Sequence, residues 1–286
     1  MRDDRDIRAV AWHLPGSNNV EGYFQPQSGT TMTTVIQLFA TEPVSDLQRL
    51  QRELVLAHHI LDRDGQGLDI AGHITARMPG AETFWSNRFR LGFDEAVPSE
   101  LHQVDMALNV LHGTGEVSPA LDLHAAVYAR QPDVNAVVHT HAVNALALAS
   151  IGTPLAMIDQ QASIFFEDIT FFNEHHGVFR EGEGEAGLVA DALGQNRAAI
   201  LKNHGIVVVG ASVQEAVIGA QVLESAARVQ VRAMAAGTLD PLPEASARQS
   251  KKFLGQKDIF NWKFDYYARR VLRERPALRD ALESRG

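Results

Sequence analysis

The spacing of apolar residues along the chain predicts several amphipathic helices. Leucine and isoleucine recur at helical spacing over residues 47–61, directly after a Ser-Asp helix-start signal. Helical periodicity returns after Ser118-Pro119, a pair typical of an N-cap and first helical position. A capping box beginning at Ser212 opens a long helix that we expect to end near Ala236.

Short runs rich in β-branched and aromatic residues predict strands between these helices. Residues 71–77, 83–86 and 135–141 have the length and composition of strands, and residues 198–210 read as a strand pair. Residues 164–179 are aromatic and predict irregular structure. Because helices and strands alternate without an internal repeat, the pattern indicates an α/β domain.

Composition along the chain divides it into three stretches. Residues 1–43 are rich in turn-forming residues, and we interpret them as an N-terminal arm. Residues 44–240 hold the alternating helices and strands and form the predicted domain. Residues 241–286 contain an aromatic helical pattern and are predicted to be a C-terminal helical tail.

Charge and composition exclude several classes of function. The 286 residues carry a net charge of −9, which argues against nucleic acid as the main partner. No apolar run approaches the roughly 18 residues that span a bilayer, and residues 1–6 are charged, so we expect no membrane span, no signal peptide and a cytoplasmic location. The chain has 12 histidines and no cysteine, so a metal site would need histidine or carboxylate ligands.

Two histidines stand two residues apart on a predicted strand. The side chains of His139 and His141 therefore point to the same face, about 6–7 Å apart along the strand, and could converge on one ion. His204, where another apolar strand turns at Gly205, could supply a third imidazole. Such a set suits Zn(II), Fe(II), Mn(II) or Co(II). A histidine pair on a strand is, however, more often a surface or hydrogen-bonded pair than a metal site.

Four motifs together resemble the class II aldolase/adducin family, over about residues 45–235. They occur in the family's order and spacing: Ala71-Gly-His-Ile-Thr-Ala-Arg77; Leu123-His124 with Tyr128; Asn135-Ala-Val-Val-His-Thr-His141; and Ala199-Ile-Leu-Lys-Asn-His-Gly-Ile-Val-Val-Val-Gly210. Phe165-Phe166-Glu167-Asp168 looks closer to the adducin-like branch than to the sugar-phosphate aldolases. The resemblance implies a three-layer α/β/α domain with a mainly antiparallel sheet and a homotetramer with sites near subunit interfaces. It also implies a divalent metal on His139, His141 and His204.

The chain departs from the aldolase pattern at two places. The family's aldolases carry an acid/base glutamate four residues before the position of His124, and here that residue is Ala120. Their phosphate site also changes, because His73 replaces an asparagine and Phe89-Arg90 replaces a Thr-Gly pair. Ser118 remains for substrate binding. Arg77 and Arg90 could bind an anion, and a carboxylate fits them better than a phosphate.

These departures favour chemistry in which the metal itself holds the substrate. We expect a lyase of decarboxylase or aldolase type that breaks a C–C bond of a small hydroxy or keto acid, with an aromatic acid favoured. Arg77 or Arg90 would bind its carboxylate, His73 and Ser118 would contact it, and water or Tyr266 would supply the proton. His124 would support the metal ligands from behind. The alternatives are a non-haem Fe(II) oxygenase using O₂, like relatives in aminocoumarin biosynthesis, and a non-catalytic adducin-like scaffold.

Overall fold

An eight-stranded sheet forms the centre of the computed structural model, which describes residues 44–174 and 185–283. The predicted arm at residues 1–43 lies outside the described residues. In chain order the strands are β1 His73–Ala76, β2 Thr83–Asn87, β3 Leu101–Asp105, β4 Val110–His112, β5 Ala136–Thr140, β6 Ile169–Phe172, β7 Ala198–Leu201 and β8 Gly205–Gly210. Their order across the sheet is β4-β3-β2-β1-β5-β8-β7-β6. All neighbours pair antiparallel except β6 and β7, which are parallel.

Eight α-helices surround the sheet in the described part of the chain. They are α1 Asp46–Arg63, α2 Asp122–Arg130, α3 Val143–Ser150, α4 Glu185–Leu193, α5 Val213–Ala236, α6 Glu244–Leu254, α7 Lys257–Glu274 and α8 Pro276–Glu283. The predicted capping residues act as expected at two helices, since Ser45 caps α1 and Ser212 caps α5. None of these helices has the length and hydropathy needed to cross a bilayer.

Alternate residues of the central strands pack into separate cores on the two faces of the sheet. Ile74 and Val138 belong to the core under α1, α3, α5 and α7, whereas Val137 and Val207 belong to the core under α2 and α4. Successive side chains of a strand point to opposite faces, so a strand buried on both faces carries apolar residues towards both cores. The prediction of a three-layer α/β/α fold with a mainly antiparallel sheet is confirmed.

Local patterns missed some elements. Residues 169–172, predicted to be irregular, form β6, because their aromatic run is stabilised by parallel pairing with β7. All three residues of β4 are exposed, so the strand lacks the apolar alternation that would predict it. The predicted tail contains three helices, and α7 contacts both α1 and α5. A separate tail beginning at residue 241 stays a prediction.

His58 is a buried histidine of α1 that stabilises the junction with β2. Its Nδ1 donates to the Leu54 carbonyl oxygen at 2.7 Å, and its Nε2 lies 3.0 Å from the Asn87 side-chain oxygen. Burial lowers the pKa of His58 from 6.5 to about 4. The folded chain therefore keeps this ring neutral at pH values where the unfolded chain protonates it.

We expect the stabilisation from this neutral ring to be complete above pH 6.5 and to be lost as the pH falls towards 4. The folded-state pKa is depressed, so the loss amounts to about 3 kcal/mol in the free energy of unfolding. Urea unfolding at pH 7 and pH 5 of the unaltered protein and His58→Gln measures it, because glutamine does not titrate. The unaltered protein should lose more stability than the variant, and parallel losses would contradict the assignment.

Candidate metal centre

Three imidazoles converge at one end of the sheet. The ligand atoms of His139, His141 and His204 all lie within 4.8 Å of one another. The Nε2 atoms of His139 and His141 are 3.3 Å apart, and each of these rings lies about 5 Å from the His204 ring, with centroid distances of 4.8 and 5.1 Å. The arrangement fits the three nitrogen ligands of a divalent-metal site with room for further ligands.

Three neighbouring segments place these rings. His139 lies in β5, which pairs with β8, and His141 follows directly after the end of β5. His204 belongs to the short turn that joins β7 to β8, where Leu201 pairs with Gly205. Asn203 in this turn has a φ of 55°, a conformation that asparagine tolerates better than most residues. The hairpin thus carries His204 back to the end of β5.

Gly205 allows the hairpin to approach the His139–His141 segment closely. A Cβ atom at residue 205 would overlap the Thr140 carbonyl oxygen and would lie 3.1 Å from Cδ2 of His141. Only a residue without a side chain fits between the two strands at this point. The Asn-His-Gly sequence is therefore explained by backbone geometry as well as by its histidine.

Polar groups on the opposite face hold the ligand-bearing segment in place. Thr140, between the two histidines, donates to Oε1 of Gln66 at 2.7 Å, and Gln66 donates to the Ala220 carbonyl oxygen at 3.2 Å. The buried Glu224 carboxylate accepts from the backbone N–H groups of Asn144 and Ala145, which are in the first turn of α3. Neither Gln66 nor Glu224 was predicted from the sequence, although a glutamate inside the apolar stretch of α5 was an available signal.

The environment favours the neutral form of the His139 and His141 imidazoles. Burial, and then the neighbouring His73, hold the pKa of His139 well below 6.5. Burial also lowers the pKa of His141, although Asp69 opposes this effect. Neutral imidazoles with available nitrogen lone pairs are the form that binds a metal ion, so the residues present fit such an ion.

His73 and His124 continue the polar cluster beneath the three imidazoles. The His73 ring stacks on His139 with centroids 4.8 Å apart, and its Nδ1 is 2.7 Å from Nε2 of His124. Nδ1 of His124 is 2.7 Å from Oγ1 of Thr75, which is 2.8 Å from the Tyr128 hydroxyl. His124 thus lies behind His73 and not directly behind a metal ligand.

This hydrogen-bond chain ends at a buried hydroxyl. Burial raises the pKa of Tyr128, so its hydroxyl keeps its proton. A hydroxyl and a neutral imidazole can each donate and accept, so the contacts are satisfied by either direction of donation along the chain. When Tyr128 donates to Thr75, the proton of neutral His73 is on Nε2.

The prediction that Arg77 binds the substrate carboxylate is wrong for this structure. Its guanidinium stacks on the Tyr128 ring and donates to the backbone carbonyl oxygens of Val134, Gln131 and Pro132. Arg77 also follows the far end of β1, four residues or about 13 Å along the strand from His73. Arg77 therefore connects β1 to the end of α2 and does not reach the histidines.

Three other residues are predicted to act on the substrate, namely Arg90, Tyr266 and Ser118. Arg90 is two-thirds exposed and ion-pairs with Glu116 at 2.9 Å, with no described contact to the histidines. Tyr266 is half exposed on α7, where it contacts Tyr267 and Arg270. Ser118 begins the 3₁₀ turn Pro119–Leu121 that leads into α2. The substrate roles of Arg90, Tyr266 and Ser118 stay predictions.

In the described part of the chain, the acids near Ala120 in the sequence, Glu116 and Asp122, have other contacts. Ala120 lies in the 3₁₀ turn before α2, and its side chain cannot transfer a proton. Asp122 is the acid nearest to Ala120 in the sequence. Its carboxylate accepts a hydrogen bond from the backbone N–H of Leu123 at 2.6 Å. Burial raises the pKa of Asp122, but the hydrogen bond of this carboxylate is to the backbone at the start of α2 and not to the histidines.

Comparison with known proteins identifies the family. Residues 52–231 match the model of the "Class II Aldolase and Adducin N-terminal domain". The chain belongs to this family. The match includes all three converging histidines and both His73 and His124.

Two Streptomyces proteins are among those similar to this chain. The chain is 34% identical to a 4-hydroxy-3-prenylphenylpyruvate oxygenase/4-hydroxy-3-prenylbenzoate synthase of Streptomyces roseochromogenus subsp. oscitans, over 70% of this chain and 72% of that protein. It is 33% identical to decarboxylase NovR of Streptomyces niveus, over 70% and 73%. A solved structure, L-fuculose 1-phosphate aldolase from Glaciozyma antarctica PI12, matches with a TM-score of 0.74 and 28% identity, over 85% of this chain and 98% of that one.

Proposed function

We propose that this chain is a metal-dependent lyase that breaks a C–C bond of a small hydroxy or keto acid, with an aromatic acid favoured. The observation that carries the proposal is the intact set of converging imidazoles, in a chain that has alanine at residue 120, where the acid/base glutamate is expected. The family membership supports a lyase or a related enzyme, and the names of two relatives include a decarboxylase and an enzyme of an aryl keto acid.

His139, His141 and His204 would hold the ion, for which Zn(II), Fe(II) and Mn(II) all suit imidazole ligands. When bound, the ion supplies Lewis-acid polarisation of a substrate oxygen, which stabilises the negative charge that develops as the C–C bond breaks. Gln66 and Glu224 hold the backbone behind the three imidazoles, so the imidazoles form a rigid site. Rigid ligands orient the substrate with little reorganisation.

His73 would orient the substrate from beside the metal ligands. We propose the direction of donation from Tyr128 through Thr75 and His124, which gives His73 an Nε2–H as hydrogen-bond donor for a substrate oxygen. With Ala120 in place of an acid, we propose water as the proton source and keep Tyr266 as the second candidate.

The names of the relatives favour one other reaction, oxidative cleavage of an aryl keto or hydroxy acid by a non-haem Fe(II) oxygenase using O₂. The third candidate is a non-catalytic scaffold, which would have no need of converging imidazoles. We further propose a homotetramer in the cytoplasm that acts on a small carboxylic acid, and not on nucleic acid or a membrane.

Assay under nitrogen tests the proposal. Protein stripped of metal and reloaded with Zn(II), Mn(II) or Fe(II) is incubated with phenylpyruvate, 4-hydroxyphenylpyruvate and 2-hydroxybenzoates, and the products are measured by mass spectrometry. We expect C–C cleavage without O₂ in at least one loaded form, with none in the stripped protein. Cleavage that needs both Fe(II) and O₂ would replace the lyase by the oxygenase, and failure to bind any metal would leave the scaffold.

A further inference from the structure

We infer that Arg88 binds an acidic group at the far end of the substrate, so that the preferred acid is dianionic. One anionic end would lie at the three imidazoles and the other at the Arg88 guanidinium. This inference rests on the proposed function, and it assigns the anion contact to a residue that no sequence motif indicated. The strand register of β1 and β2, the packing of the Arg88 side chain and the donors of its guanidinium each support the inference.

Strand register places Arg88 on the face of the sheet that carries His139. Ser86 of β2 pairs with Thr75 of β1, so continuing this register by two residues brings Arg88 level with His73. The Arg88 N–H donates to the Glu100 carbonyl oxygen at 2.9 Å, which keeps Arg88 in line with β3. His73 in turn pairs with His139. Residues two apart share a face, so Arg88 and His139 lie on one face two strands apart, on the order of 10 Å.

A glycine turn packs against the side chain of Arg88. Gly115, with a φ of 101°, lies so close to Cδ of Arg88 that a Cβ atom at residue 115 would overlap it. A backbone hydrogen bond of 3.0 Å from Phe89 to Glu116 holds this turn against the arginine. The aliphatic stem is thus confined before a ligand binds, which reduces the entropy lost on binding.

The guanidinium keeps donors for a ligand. Nη2 of Arg88 pairs with Oε2 of Glu100 at 2.9 Å, and the side chain is 39% exposed. A guanidinium has five N–H donors, so the pair with Glu100 leaves an edge that can bind a carboxylate in bidentate fashion. Arg77 lacks this capacity because backbone carbonyls occupy it. Arg90 has an equivalent ion pair with Glu116, but its side chain is two-thirds exposed and is therefore less confined than that of Arg88. Glu100 holds the guanidinium in place and also weakens its attraction for a single negative charge.

A matched pair of aryl keto acids tests the inference. Calorimetry under nitrogen on Zn(II)-loaded protein compares phenylpyruvate with 4-carboxyphenylpyruvate, which adds a carboxylate at the far end. We expect the dianion to bind about 10- to 100-fold more tightly, as one charge-assisted contact allows. Arg88→Met should remove this preference and change phenylpyruvate affinity less than about threefold, and Arg88→Lys should retain part of it.

Arg130→Met is the matched control, because Arg130 is 37% exposed and pairs with Asp191 on the surface. It should keep the preference. Equal binding of the two acids, or a preference that survives in Arg88→Met, would overturn the inference while leaving the proposed function intact. Failure of both acids to bind the loaded protein would instead overturn the proposed function, and the inference with it. Circular dichroism confirms that each variant is folded.

Discussion

His139→Ala is expected to abolish stoichiometric metal binding and, with it, catalytic activity. His139 is one of the three imidazoles, and its ring centroid lies 5.2 Å from that of His141 and 4.8 Å from that of His204. Its loss leaves two ligands, so metal affinity should fall by more than the ~10–100-fold that loss of a group supporting a ligand costs. Elemental analysis and competition with a chromogenic chelator measure the loss.

Two further variants separate ligand loss from unfolding. His139 is buried, so its truncation also leaves a cavity, whereas His141 is partly exposed, and His141→Ala should lose metal with a smaller effect on stability. His112→Ala removes an exposed histidine of the edge strand β4 and should bind metal normally. Stoichiometric metal in folded His139→Ala would contradict the site.

Gly205→Ala is expected to destabilise the protein and weaken metal binding together. The added Cβ overlaps the Thr140 carbonyl oxygen in the central β5–β8 ladder, where the backbone cannot move aside without breaking strand pairing. Overpacking of this kind costs about 1–3 kcal/mol, and more where backbone must shift. Because residue 205 follows His204 and contacts His141, the same shift displaces two ligands. Urea unfolding and chelator competition measure the two effects.

Gly237→Ala is the matched control for this substitution. Gly237 ends α5 in an extended conformation with φ of 169°, and a Cβ there would have no atom within 4 Å. The variant should stay within about 0.5 kcal/mol of the unaltered protein. If Gly205→Ala were equally neutral, close approach of the hairpin would not be what places His204.

Much of the fold was predictable because its strongest signals are local. The capping box of α5, the apolar spacing of α1 and the β-branched run of β5 all depend on neighbouring residues. β6 escaped prediction because its stability comes from β7, about 30 residues later in the chain. The exposed β4 had no apolar pattern to detect. Elements that depend on a distant partner leave a weak trace in the sequence.

The candidate site was predictable to a similar extent. His139 and His141 follow from the two-residue period of a strand, and the resemblance to the family supplied His204. Arg77 shows the limit of such reasoning. Arg77 is an even number of residues from His73 and so shares its face of the strand. It nevertheless follows the opposite end of β1, where its guanidinium donates to backbone carbonyl oxygens.

By itself, the sequence determined which residues share a face, where helices begin, the family of the chain and the absence of the glutamate at Ala120. Those properties depend on periodicity, capping and motif order, which are carried by residues near one another along the chain. Only the tertiary structure decided that Tyr128, Thr75, His124 and His73 form one hydrogen-bond chain, and that Ser86, two residues before Arg88, pairs with Thr75. Such contacts depend on strand register and on side chains from separate elements, since a shift of a single residue would place each group on the other face.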